Sequence, residues 1–550
     1  MNPGAYPMVR SMFVLALMAG FVACAGSEQT ERMPEAGGDS GAVAVDGGMV
    51  AGASARGDGA VRMYGSIPYA APPVGERRWL PPQPVEPWEG VRDGSQLPPA
   101  CVQVILPVPP GEDPYFGPGA THMDEDCLYL NVWSAAAPAD AAPVLVWIHG
   151  GGLRMGDGSS VAFDGSALAS RGVVVVTLNY RLGALGYLAH PLLRAESANE
   201  ASGNYGLLDQ VAALEWVQRN ISAFGGDPQR VAIFGESAGS WSINYLMATP
   251  SARGLFAGAI GQSGGVFAPG AGAVPRPTAE SAGEQFAATV LGEDADVSLE
   301  ALRALPAEDV VAAATGRVLV NIDGWVLPAG VNDIFANGAQ HDVPVILGSN
   351  ADENTALARY AQGPRPGSVA EYEEWAHQEY GDLADQYLAA YPAESDADVE
   401  ARIIDSGGDG RFVWEMRAWA RMMETVTSPA FVYHFTRVPP AADAERYGAY
   451  HTAEIPYVFG NLDGGGRYWF ANRDYDDTDR RLSDVMSSYW INFAATGDPN
   501  GAGLPEWPAY SLETEPALEL GDTVQVRHGV RGDRLDFFDQ LYAARRAATN

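Results

Sequence analysis

The stretch FGESAGS, residues 234–240, sets Ser237 between Gly235 and Gly239 at the end of the apolar run RVAIF. A serine at a sharp turn from strand to helix needs small neighbours, because side chains two positions to either side would collide there. Such a turn lifts the hydroxyl clear of the sheet and aims the N–H groups of the following helix at developing negative charge. A hydroxyl alone is a weak nucleophile at neutral pH. It needs an imidazole to take its proton and a carboxylate to orient that imidazole. Where this turn carries the nucleophile, acid and histidine follow it in that order. Downstream lie His341, His377, His434, His451 and His528. His434 sits inside the apolar run FVYHF and reads as a core or edge residue, whereas His451 follows an expected loop in GAYHTAEIPYVFG. The acid should end a strand, and GSNADENT after DVPVIL offers both Asp352 and Glu353. Upstream, Gly150-Gly151-Gly152 follow VLVWIH. Backbone N–H groups there can approach a ligand with no Cβ in the way. Gly151, Gly152 and the amide of Ala238 are the expected oxyanion donors.

The elements that must position these groups are legible. PVLVWIHG, GVVVVTLNY, RVAIFGES and DVPVILGSN are short, β-branched and apolar on both faces, the pattern of buried parallel strands. Between them, GLLDQVAALEWVQRNISAFG spaces Leu207, Leu208, Val211, Leu214 and Val217 along one helical stripe. Strands and helices in alternation predict a doubly wound α/β architecture with a mostly parallel central sheet and helices on both faces. DYDDTDR, residues 474–480, lacks the spacing of a calcium loop and reads as a solvated face.

Composition narrows the chemistry further. The 550 residues are 47% hydrophobic and 19% charged, ordinary for a globular chain, and no linker divides them beyond the N-terminal segment. Against 69 acidic residues stand 34 basic ones, all Arg, giving a formal charge of −35. Nucleic acid is thereby an unsuitable partner. Schiff-base lysines, Ser-Lys dyads and the P-loop lysine are excluded outright. No motif calls for a metal or organic cofactor.

Near the start, Arg10 precedes an apolar stretch from Met12 to Val22, too short for a permanent span, then Ala23-Cys24-Ala25-Gly26. Residues 1–24 are expected to be an export signal, 25–42 a flexible linker and 43–550 the catalytic domain. Phe21-Val22-Ala23-Cys24 resembles a bacterial lipobox, in which Cys24 would be acylated and tether the protein to a membrane. Ordinary cleavage at a small residue is the alternative. Periplasmic, outer-membrane-anchored or secreted locations all follow from export. With Cys24 set aside, Cys101 and Cys127 remain, and in an oxidising compartment they are expected to form a disulfide. In the chain-entropy picture it is worth about 3 to 4 kcal/mol.

From Val43 to the C-terminus the chain carries GSIPYAAPPVGERRW, DEDCLYLNVW, WIHGGG, NYRLGALGYL, GNYGLLDQ, WVQRNISAFGGDPQRVAIFGESAG, GQSGG, HTAEIPYVFG and NFAATGDPN in order. It resembles the type-B carboxylesterases, the family of cholinesterases and bacterial para-nitrobenzyl esterases. The resemblance implies an α/β-hydrolase fold and a small-molecule ester substrate. It further implies Ser237 as nucleophile, Glu353 as acid, His451 as base and the Cys101–Cys127 bridge. It makes Ser263, in GQSGG, a support for acid and histidine, and Glu236 a residue that shapes the field beside the nucleophile.

The departures from that pattern bear on the pocket. Asn354 and Thr452 replace glycines, and Leu153 replaces an aromatic. Between Cys101 and Cys127 stand Tyr115 and Phe116 but no Trp, which argues against a choline cage. Trp241 either walls the acyl pocket or packs in the core. Arg154 either meets an anionic substrate group or lies on the surface. Two rival functions share these features: a noncatalytic binding module on the same fold, and the same triad cleaving carbamates, lactones or thioesters.

Overall fold

Buried strands alternating with helices form, in the computed structural model of this chain, an eleven-stranded sheet. The structure describes residues 41–57, 59–105, 122–292, 296–314, 316–360, 364–442, 444–463 and 473–549. The expected signal and linker, Cys24, Tyr115 and Phe116 lie outside the described residues.

In chain order the sheet contains β1 (Ala53–Ser54), β2 (Arg62–Pro68), β3 (Tyr129–Ser134), β4 (Ala142–Ile148) and β5 (Val174–Leu178). It continues with β6 (Gly226–Glu236), β7 (Gly258–Gln262), β8 (Val345–Asn350), β9 (Ala430–Phe435), β10 (Pro516–Leu520) and β11 (Val524–His528). Spatially they run β1-β2-β3-β5-β4-β6-β7-β8-β9-β10-β11. Every pairing from β5 to β10 is parallel, while β1–β2, β2–β3, β3–β5 and β10–β11 are antiparallel. This is the expected mostly parallel α/β-hydrolase sheet, flanked by antiparallel edges.

The four strands anticipated from apolar runs are β4, β5, β6 and β8, and their side chains alternate between two cores. Val144, Val146 and Ile148 enter one core, while Leu145 and Trp147 enter the other. In the second core Trp147 packs against Phe234 at 4.8 Å and Phe459 at 5.1 Å between ring centroids. Because the parallel strands share a direction, the ends of β4, β6 and β8 come together at one edge. HGGG, Ser237 and the Asp352-Glu353 pair directly follow those ends.

The anticipated helix spans Tyr205–Asn220. It is buried over more than one stripe, because Asp209 and Gln210 are fully covered as well. Asp209 takes Arg181 bidentately, at 2.8 Å from Nε and 2.7 Å from Nη2, and also accepts the Arg181 backbone N–H at 3.0 Å. Removing one partner of such a pair strands the other charge in a dry site. Asp209→Ala is therefore expected to cost about 3 to 5 kcal/mol, read as a lowered urea midpoint.

The disulfide links Cys101 to Cys127 with Cα atoms 5.0 Å apart. The acidic run 474–480 is largely the solvated face expected of it, with Asp474, Asp476, Asp477 and Arg480 exposed, but Asp479 departs from it. Asp476 caps the helix Asp477–Thr496, and Asp479 is fully buried beneath Arg437 Nε at 2.6 Å and the Tyr457 hydroxyl at 2.7 Å. One strong cation at a distant position draws a single carboxylate of that run into the core.

Candidate active site

Ser237 sits between β6 and the helix Ala238–Ala248 with φ 56 and ψ −120. A non-glycine residue pays conformational energy there, which marks a turn enforced by its surroundings. A Cβ at Gly239 would strike the carbonyl oxygen of Ile148, the last residue of β4, and one at Gly235 would meet the same oxygen at 2.6 Å. The turn is thus pressed against the strand that leads into HGGG. Ser237 is half-buried, whereas Val231–Glu236 and Ala238–Ser240 are buried.

In the HGGG loop, Gly151 is at φ 99, and any Cβ on it would collide with the Met155 carbonyl. The Gly151 carbonyl accepts the N–H groups of Arg154 at 3.1 Å and Met155 at 3.2 Å, curling the loop. The His149 ring stacks on Tyr180 at 4.4 Å, and the Tyr180 hydroxyl donates to the His149 carbonyl at 2.8 Å. Burial lowers the His149 pKa to about 4, so this ring is a neutral spacer.

His451 lies in the connection between β9 and β10, with 2% of its surface exposed. Its Nδ1 is 2.6 Å from Glu353 Oε2. The other Glu353 oxygen accepts the Asn350 N–H at 2.7 Å. Asp352, the other carboxylate offered by the sequence, instead accepts the Ala449 N–H at 2.7 Å and so holds the histidine loop by its backbone. Asn350 helps by donating to the Tyr450 carbonyl at 2.8 Å. Nε2 of His451 lies 3.0 Å from Glu236 Oε1, off the hydrogen-bonding direction. No hydrogen bond from Ser237 Oγ to this ring is formed among the described residues; Ser237 and the ring meet through Glu236, its chain neighbour. Thr452, where the resemblance expects glycine, has φ 77, a region β-branched residues rarely occupy.

Glu236 is buried, and its pKa is raised well above the ordinary carboxylate value, first by burial and then by Glu454 and Glu353. Glu454 was not singled out by sequence reasoning. Fully buried, it accepts from Gln262 Nε2 at 3.0 Å and Asn350 Nδ2 at 2.6 Å. Its signal was its place three residues after His451 in HTAE. Phe412 was also missed; its ring packs on the imidazole at 4.5 Å. A π-helical turn over Asp409–Val413 interrupts an otherwise α-helical run and carries Phe412. Such bulges are frequent at functional sites. Ser263, expected to support acid and histidine, has φ 51 and a buried hydroxyl with no hydrogen-bond partner among the described residues.

Chain neighbours of Gly151, Glu353 and Phe412 line a cavity of about 780 Å³, namely Gly152 with Leu153, Asn354 and Arg411, together with Trp241. Trp241 is half-buried and walls this cavity while also packing on the core. The volume suits an ordinary small-molecule ligand. Glu415 also lines it, accepting the Phe267 N–H at 2.7 Å and the Ala268 N–H at 3.0 Å. Burial, partly offset by those bonds and by Arg546, raises its pKa to about 7. A carboxyl raised in the folded state lends stability that is full below the unfolded value and is lost as pH climbs through about 7. Between pH 5 and 8 the protein is expected to lose about 2 to 3 kcal/mol more than Glu415→Gln does, measured by urea unfolding at both pH values.

The comparisons agree with this fold. The Carboxylesterase family profile matches residues 39–538. The chain is 38% identical to fumonisin B1 esterase of Sphingopyxis macrogoltabida over 488 residues, covering 86% of this chain and 86% of that protein. It is 37% identical to para-nitrobenzyl esterase of Bacillus subtilis (strain 168) over 496 residues, covering 86% and 94%. A solved PNB esterase structure superposes with a TM-score of 0.73 at 33% identity, covering 90% of this chain and 99% of that one. With this sheet, this turn after β6 and a match over nearly its whole length, the chain belongs to the carboxylesterase family and is a carboxylic ester hydrolase.

Proposed function

We propose that ester cleavage runs through an acyl-enzyme on Ser237. The observation that carries this reading is the 2.6 Å contact between Glu353 and His451 Nδ1, formed beside a serine held in a strained, accessible turn. Ser237 Oγ attacks the ester carbonyl carbon while His451 Nε2 accepts its proton. The N–H groups of Gly151, Gly152 and Ala238 hold the oxygen that becomes negative. As the tetrahedral adduct collapses, the proton passes from His451 to the departing alcohol. Water, deprotonated in turn by His451, then attacks the acyl carbon and restores the serine.

Glu353 keeps Nδ1 as the donor and balances the imidazolium as it forms. Glu236, raised by its surroundings, shapes the field beside Ser237 and does not compete as base. Bonds from serine to histidine are commonly loose until substrate binds, and in this reading the Oγ–Nε2 bond tightens in the substrate complex. The test is turnover of a short-chain nitrophenyl ester together with labelling by a fluorophosphonate. The labelled peptide is expected to contain Ser237, and a label mapping elsewhere would overturn the assignment.

We further propose that residues 1–24 direct export and that Cys24, when acylated, tethers the domain. The apolar stretch before Cys24 and the Cys101–Cys127 bridge support this reading. Mass spectrometry of the mature N-terminal peptide tests it: acyl chains on Cys24 are expected, and a retained leader would refute it.

A further inference from the structure

In so acidic a chain, with 69 Asp and Glu against 34 Arg, carboxylate partners are abundant. Buried arginines take them: Arg78 meets Glu125 at 2.5 Å, Arg181 meets Asp209 at 2.7 Å and Arg437 meets Asp479 at 2.6 Å. Three arginines on the wall of the cavity do not. Among the described residues, Arg154 and Arg411 form no ion pair and no side-chain hydrogen bond, and Arg317 donates only to the carbonyls of Gly270, Ala271 and Gly272.

The wall's own acids are not available to them. Glu379 pairs with Arg545 at 3.3 Å, and Glu415 is bonded to two backbone N–H groups. Arg154 lies two residues beyond Gly152, and Arg411 immediately precedes the Phe412 that packs on His451. Desolvation lowers the Arg411 pKa, the Glu353 carboxylate opposes this and Arg317 adds to it, so a carboxylate and a second cation both act on this guanidinium. Arg317 and Arg411 are solvent-exposed and Arg154 is half-buried. Three guanidinium groups on one cavity wall, none of them ion-paired among the described residues, offer an anionic ligand its partners.

We propose that the cavity takes esters bearing an ionised carboxylate, which the guanidinium groups of Arg154, Arg317 and Arg411 hold while the scissile carbonyl sits at Ser237. This rests on the acyl-enzyme reading and specifies the substrate class of the same site. Guanidinium forks suit carboxylates geometrically, and the charge lets the site distinguish an anionic ester from its neutral isostere.

The experiment compares two matched pairs: the mono-4-nitrophenyl ester of glutaric acid against 4-nitrophenyl valerate, and 4-butyryloxybenzoate against 4-butyryloxybenzamide. These place the carboxylate on the acyl and the alcohol side respectively. In at least one pair, kcat/KM is expected to favour the anionic ester by tenfold or more, with the preference shrinking as salt is raised. Arg154→Gln and Arg411→Gln should each cut that ratio about fivefold or more, chiefly through KM for the anion. Arg411→Lys, which keeps the charge but loses the fork, should retain part of it.

A ratio near one in both pairs, or a preference that survives both glutamine variants, overturns the inference while leaving the esterase reading intact. If neither neutral nor anionic esters are cleaved and the fluorophosphonate leaves Ser237 unlabelled, the esterase reading itself falls and takes this inference with it.

Discussion

Ser237→Ala is expected to lower kcat for a short-chain nitrophenyl ester by roughly 10⁴- to 10⁶-fold and to abolish fluorophosphonate labelling. In the proposed acyl-enzyme route, methyl for hydroxymethyl removes the atom that bonds to the acyl carbon, so the loss falls on kcat. KM should change little, because the cavity wall and the amides of Gly151, Gly152 and Ala238 stay in place. Those amides leave a residual rate above that in water. Folding should survive, since Ala and Ser differ little in what the turn at φ 56 demands and Gly235 and Gly239 keep it open. A variant with more than about one per cent of wild-type kcat would sink the nucleophile assignment, because no partial role for this hydroxyl gives so small an effect.

The second large effect is expected from Glu353→Gln. The amide is nearly isosteric, yet it can turn its NH2 group toward Nδ1 and favour the imidazole tautomer that leaves Nε2 protonated and unable to accept the serine proton. A fall of about 10⁴-fold in kcat follows, roughly 5.5 kcal/mol of transition-state stabilisation. KM should hold, because Glu353 faces the ring and the Asn350 N–H. The neighbouring carboxylate provides the control. Asp352→Asn weakens the bond to the Ala449 N–H that fixes the histidine loop, so it should lower thermal stability and cost far less in kcat. Comparable losses of kcat in both variants would mean that Glu353 acts only by holding the loop.

Much of this was readable before any coordinates, for a reason visible in the elements themselves. The strands β4, β5, β6 and β8 are short, buried on both faces and rich in branched residues, and nothing but a parallel interior accommodates such runs. The turn around Ser237 is written within five residues, because crowding there is set by the nearest backbone. The helix after Asn204 was anticipated in place but not in burial. Its stripe of Leu and Val was plain, whereas the burial of Asp209 depends on Arg181, 28 positions away. In the largely exposed run 474–480 the same cause singles out one residue: Asp479 is drawn inward by Arg437, a partner 42 positions distant.

By itself, then, the amino-acid order determined the α/β class, the serine turn, the glycine loop and the short roster of histidines and acids able to serve them. These are encoded in backbone conformation and solvent preference over a few neighbouring residues. The tertiary structure alone decided which carboxylate reaches the imidazole, since Glu353 and His451 are 98 positions apart and meet only because adjacent parallel strands release them at the same edge. It also decided that Glu454 shares the buried network, that Phe412 backs the ring and that three arginines without a carboxylate ion pair among the described residues face one cavity. Each of those facts is a distance between segments remote in sequence, fixed by how the sheet stacks its strands and where the helices cross it.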